Sequence, residues 1–214
     1  MRFRGSTRRC ANVSWVKAST TGGEVVSAED VIIIYQRLLD NGIQVWLSGG
    51  WGIDALLGEQ TRPHKDLDVI MLLDDVARMR ELLGQDGYGL EELWSENRWA
   101  VDAHGTEIPT AFVLQDAEGR QLDAHAMQLD DQGNGVSAWE GERIAFERQD
   151  LASPGTIAGV TVRCLSPNMQ VLLHMGYELP DKQLRDLELL REKLGVENSA
   201  DCSGHRPWGT RDTI

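Results

Sequence analysis

Between Trp46 and Val69 the chain reads WLSGGWGIDALLGEQTRPHKDLDV, and this stretch constrains the fold more than any other. Gln44 to Leu47 is a short apolar strand that stops at Ser48-Gly49-Gly50, and Trp51 to Leu57 follows at helical spacing. The chain must therefore turn sharply from a strand into a helix, through glycines that leave the backbone of the turn open. A second strand, Leu67 to Leu72, is entered through Asp66-Leu67-Asp68. Successive strand side chains point to opposite faces, so Asp66 and Asp68 share one face while Leu67 and Val69 take the other. The backbone positions of the two aspartates are about 7 Å apart.

The two halves of this stretch have complementary chemistry. Two carboxylates brought to ~4 Å repel by roughly 4 kcal/mol at an effective dielectric of 20. They either splay into water or hold a divalent cation. Magnesium takes hard oxygen ligands of this kind and keeps waters and substrate phosphates in its other positions. The turn supplies the anion side. A helix beginning near Trp51 directs free N–H groups and its positive dipole end at the glycines, Ser48 adds a hydroxyl donor, and Gly49 and Gly50 let a phosphate approach the backbone. Arg62 and His64 lie between the turn and the acids and can neutralise phosphate charge. A third carboxylate is needed to complete the metal site or to act as base. Asp123, in Gln121-Leu122-Asp123-Ala124-His125, is the first candidate and shares a strand face with His125; Asp54 and Asp102 are weaker ones. The combination points to an enzyme that handles a nucleoside triphosphate. The implied reaction is nucleotidyl transfer: a substrate hydroxyl attacks the α-phosphate, pyrophosphate leaves, and two-metal catalysis stabilises the attacking and leaving oxygens. Taken singly, each part has a plainer reading, since an isolated Asp-x-Asp is usually an exposed polar face and a lone acid a strand-end residue.

Around this centre the pattern alternates between helical and extended periods. Ser27-Ala28-Glu29-Asp30 resembles a capping box and is followed by Val31, Ile34, Tyr35, Leu38 and Leu39 at helical spacing, closed by Asn41-Gly42. Val76, Met79, Leu82 and Leu83 form another helical stripe. Residues 90–94, 98–102, 110–115, 121–127 and 160–164 read as strands, with turns at 117–120 and 132–135. Ser166-Pro167 opens a helix, and Pro180 opens the last one, which carries Leu184, Leu187, Leu190 and Leu194 and is closed by Gly195. His174 reads as a satisfied core histidine. Trp46, Trp51, Trp94, Trp99 and Trp139 read as core, with Trp51 the one placed to face a ligand. Glu91, Glu92 and Glu96 read as a solvated face.

The chain has 214 residues, enough for one domain with an appendage or two small ones. No apolar run approaches a membrane span. The first 20 residues hold five basic residues and no acid, without the apolar core of a secretory signal, and read as a loosely ordered extension over 1–22. Three scattered cysteines suggest neither a disulfide framework nor a zinc site, so a cytoplasmic location is the default. The net charge of −13 counts against a nucleic-acid partner, which calls for a basic face, and favours a small cationic one or serves solubility.

The order Gly-Gly, a short gap, then Asp-x-Asp between apolar residues resembles the DNA polymerase β-type nucleotidyltransferase superfamily. The longer string is similar to its small antibiotic-modifying members, the lincosamide nucleotidyltransferases and the aminoglycoside 2''-adenylyltransferases. LDAHAMQLDDQGNG and AGVTVRCLSPNMQVLLHMGYELPDKQLRDLELL lean toward the lincosamide branch, and the resemblance spans about residues 28–195. It implies an α/β (α+β) fold: a polymerase-β-like core with a mixed sheet over 23–150, a small C-terminal strand and helices over 151–195 bordering the cleft, and a polar tail over 196–214. It implies Asp66 and Asp68 as magnesium ligands, Asp123 as third ligand or base, Ser48, Gly49 and Gly50 as the phosphate turn, and Arg62 and His64 as the basic pair. Lys182 and Asp186 match a Lys-x-x-x-Asp pattern near the nucleotide or the helical packing surface. Two positions depart from the pattern: Ala126 stands where proline is usual, and Ala111 where relatives tend to carry arginine.

The expected function is magnesium-dependent transfer of a nucleoside monophosphate, AMP from ATP, to a hydroxyl of a small-molecule antibiotic. A lincosamide is the first acceptor and an aminoglycoside the second, and a homodimer is compatible with this. Two other classes stay open: a nucleotidyltransferase acting on a protein or tRNA, and a non-catalytic nucleotide-binding protein of the same fold. The complete acid set counts against the latter.

Overall fold

The first helix, α1 (Ala28–Asp40), starts at a reciprocal capping box in which the Ser27 hydroxyl accepts from the Asp30 N–H and the Asp30 carboxylate accepts from the Ser27 N–H. Val31, Ile34, Tyr35 and Leu38 are buried, as the helical spacing predicts, while Leu39 is exposed. The molecule is seen in a computed structural model that describes residues 25–102, 104–139, 143–175 and 179–196. The extension expected over 1–22 and the tail after Val196 lie outside them.

Strand β1 (Val45–Ser48) runs directly into α2 (Gly49–Leu57), and β2 (Asp66–Leu72) returns beside β1. A short 3-10 turn leads into α3 (Val76–Gln85), then β3 (Gly89–Leu93), β4 (Trp99–Val101), β5 (Glu107–Pro109), β6 (Ala111–Gln115) and β7 (Gln121–Leu129). Next come β8 (Gly135–Ser137), β9 (Ala145–Phe146), β10 (Ser153–Ile157), β11 (Val160–Cys164), α4 (Pro167–Leu173) and α5 (Asp181–Leu194). The main sheet has the order β10-β11-β1-β2-β7-β6-β3, with β8 on the far end of β7 and β9 beside β8. β1 with β11 and β2 with β7 are parallel pairs, and the remaining pairs are antiparallel. The expected α/β architecture with a mixed sheet is therefore the one observed.

Four strands go beyond the sequence expectation. β5, β8 and β9 are two or three residues long, too short for a period to show. β10 contains Pro154 and Gly155, which argue against a central strand; it lies at the sheet edge, where a missing N–H is tolerated. β10 and β11 continue the same sheet, so no break in it marks residue 150.

The sheet has two unlike faces. Leu47, Leu67, Val69, Met71, Phe112, Leu122 and Ala124 form a dry core with α1 and α3. On the other face Trp46, Ile70, Ala111 and Met127 pack with Trp139, Phe146, Leu151 and Met169. The same face, toward the start of β2 and β7, carries the acids. The last helices close one side, where Val171, Leu187 and Leu190 pack on Ile53 of α2.

Candidate active site

Strand pairing alone assembles the polar row. Ser48 is paired with Asp68 across β1 and β2, and Asp68 with Asp123 across β2 and β7. Three adjacent strands thus place Ser48, Asp68 and Asp123 side by side, and Asp66, two residues from Asp68, lies on the same face. α2 begins at Gly49, immediately after Ser48 and two residues earlier than the spacing suggested, so its first N–H groups open beside this row.

The glycines have a second reason to be glycines. Gly49 has φ +58, and a Cβ there would run into the Asp68 carboxylate, 2.6 Å from Cγ and 3.0 Å from Cβ. A Cβ on Gly50 would overlap the His64 ring and come within 3.0 Å of an Arg62 guanidinium nitrogen. The turn is bare because the acid and the basic pair press against it.

Burial, and then the charges of Asp123 and Asp66, push the Asp68 carboxyl well above the usual carboxylate range, while His125 and Arg62 pull it back. Crowded acids of this kind are relieved by a divalent cation, and the oxygen-only donor set suits magnesium. Among the described residues no group of three or more Asp, Glu, His or Cys side chains is placed to hold a metal ion.

Asp123 has its own surroundings. The Trp94 indole N–H donates to its Oδ1 at 2.8 Å, and His125 Nδ1 stands 3.4 Å from the same oxygen. His125 Nε2 faces Glu96 at 3.4 Å. Burial lowers the His125 imidazole, but the hydrogen bonds and charges of Asp123 and Glu96 outweigh it and raise it to about 9. The hydrogen bond from His125 in turn holds the Glu96 carboxyl down at about 2, against the opposing effect of burial. Glu96 is therefore a partner of the site, not the solvated acid its sequence surroundings suggest. Neither Trp94 nor Glu96 could be found from spacing, since each meets its partner 29 residues away.

Other expected residues are engaged elsewhere. Arg62 grips Asp186 of α5 with two nitrogens, Nε at 3.0 Å and a terminal nitrogen at 2.6 Å; Asp186 is 2% exposed. His64, 1% exposed, bonds Asp54 through Nε2 at 2.5 Å. Asp54 also accepts from the Thr61 N–H and hydroxyl, so it anchors the loop and is no third metal ligand. Asp102 accepts from the N–H groups of His104 and Thr106 and closes the turn between β4 and β5. Lys182 is exposed on the first turn of α5. Trp51, expected to face a ligand, is buried, with its ring 4.9 Å from that of His64. His174 is a core histidine whose Nδ1 meets the Gln170 carbonyl.

A family model described as aminoglycoside-2''-adenylyltransferase matches residues 30–190, a span that includes every site residue above. The chain belongs to this family. It is 29% identical over 167 residues to a lincosamide resistance protein of Staphylococcus haemolyticus, covering 78% of this chain and 95% of that one. It is 27% identical over 180 residues to a 2''-aminoglycoside nucleotidyltransferase of Klebsiella pneumoniae, covering 78% and 89%. Among solved structures, the lincomycin-bound lincosamide adenylyltransferase LnuA matches with a TM-score of 0.65 and 27% identity over 78% of this chain and 98% of that one. The expected nucleotidyltransferase is thus borne out in family and fold. Among the described residues no helix is long and apolar enough to cross a membrane.

Proposed function

We propose that the protein transfers AMP from ATP to a hydroxyl of a small-molecule antibiotic, with a lincosamide as the first acceptor and an aminoglycoside as the second. The observation that carries the chemistry is the in-register row of Ser48, Asp68 and Asp123 at the start of α2. In this reading Ser48 and the first N–H groups of α2 cradle the triphosphate. Asp66 and Asp68 would hold magnesium, which when bound would screen phosphate charge and polarise the α-phosphate. Arg62 and His64 act at one remove, because their contacts with Asp186 and Asp54 seat the glycine turn. Lys182, at the solvent edge of α5, is left for the outer phosphates. The acceptor oxygen forms a bond to the α-phosphorus, the bond to the bridging oxygen breaks, pyrophosphate leaves, and the acceptor proton passes to Asp123.

Support for the lincosamide comes from the near-complete coverage of the resistance protein and of LnuA. The aminoglycoside draws on the family description and on the net charge of −13, which suits a polycation. The test is pyrophosphate release from ATP with magnesium, for lincomycin, clindamycin and an aminoglycoside panel. Release is expected with one drug class and should vanish in Asp68→Asn. No release with any drug, while Mg-ATP still binds, would remove the antibiotic from this reading.

A further inference from the structure

Asp123 is gripped by one oxygen. Trp94 directly follows β3, and its backbone N–H donates to the Ala111 carbonyl at 3.2 Å, carrying the pairing of β3 with β6 one step further. From this fixed point the indole N–H reaches Oδ1 of Asp123 at 2.8 Å, the same oxygen that faces His125. The indole is itself held in place. Its ring lies 6.4 Å from that of His125 at an interplanar angle of 26°, and Trp139 meets His125 edge-on at 5.0 Å.

We propose that Trp94 is a positioning residue for Asp123: its indole N–H, anchored beside the sheet edge, holds Oδ1 so that Oδ2 is the oxygen presented to the acceptor hydroxyl. The inference rests on the transfer reaction proposed above, in which Asp123 takes the acceptor's proton. An indole donates and cannot accept, so it never competes for that proton. A general base works only within about 2.6–3.2 Å of the proton it removes. A carboxylate free to rotate about its last bond would spend much of its time outside that reach. The neutral donor also leaves the charge of Asp123 in place.

The test uses the full chain with Trp94→Phe, which keeps the aromatic packing and removes the N–H. The turnover number is expected to fall about thirtyfold, while KM for the acceptor and for Mg-ATP stays within about threefold, since loss of orientation acts on the reacting geometry and not on ground-state binding. A second readout needs no turnover. Among the seven tryptophan indole resonances, the one lost in Trp94→Phe should shift in Asp123→Asn. Wild-type turnover in a folded Trp94→Phe protein would overturn the positioning role. So would a Trp94 indole resonance that ignores Asp123→Asn; with that resonance assigned through bonds in the wild-type protein, the comparison leaves Trp94 intact and decides the matter even if the Phe variant does not fold. A wild-type protein that modifies no acceptor overturns the transfer reading instead, and the positioning role with it.

Discussion

Gly49 and Gly58 separate two costs that usually come together. Both have a positive φ, +58 and +73; Gly49 opens α2 and Gly58 caps its end. An alanine at either site adopts the left-handed region at a cost of about 1–2 kcal/mol. At Gly58 nothing lies within 4 Å of the added Cβ, so the backbone cost stands alone. At Gly49 the Cβ falls 2.6 Å from Asp68 Cγ, and reaching ordinary carbon contact requires the carboxylate to retreat by about 1 Å. A displacement of that size at reacting groups costs about a hundredfold in rate. Both variants should therefore melt about 2–8 °C lower. Only Gly49→Ala should lose about a hundredfold in kcat/KM for magnesium-dependent pyrophosphate release. Gly49→Ala within threefold of wild type, or Gly58→Ala equally impaired, would refute the reasoning.

Two further outcomes follow from the electrostatics. The Asp68 carboxyl is raised by burial and by Asp123 and Asp66, so the folded state holds that proton more tightly than the unfolded one, and stability falls as pH rises from the ordinary carboxylate range through the raised value. In magnesium-free buffer Asp68→Asn should thus melt above wild type at pH 8 and close to it at pH 4; a variant that is less stable at pH 8 would contradict this. Asp186→Ala leaves the partly buried Arg62 without its carboxylate, and urea unfolding should show a loss of about 3 kcal/mol, a figure near zero marking the pair as a surface contact.

Local chemistry was legible in the sequence where neighbours in the chain are neighbours in space. Ser27 to Asp30 reads directly as a cap, and Asp66 and Asp68 as two acids on one face. The register that sets Asp68 beside Asp123 is a pairing of strands 55 positions apart, and periodicity carries no record of it. Arg62 and His64 were legible as a basic pair, but their commitments to Asp186 and Asp54 were not, because an acid's partner depends on which helix packs where. The same limit hid Trp94 and Glu96, whose surroundings in the chain resemble any exposed strand end.

The placement of β11 beside β1 has a bearing on biosynthesis. Leu47 and Cys164 are paired in the sheet, yet more than a hundred residues separate them. At about 5–20 residues per second, a ribosome making this chain needs at least several seconds between the two strands. Throughout that interval one edge of β1 has no neighbour, and the glycine turn that follows it lacks the helix whose aspartate anchors Arg62. The nascent protein cannot hold its site in final form until nearly the whole matched region has left the tunnel.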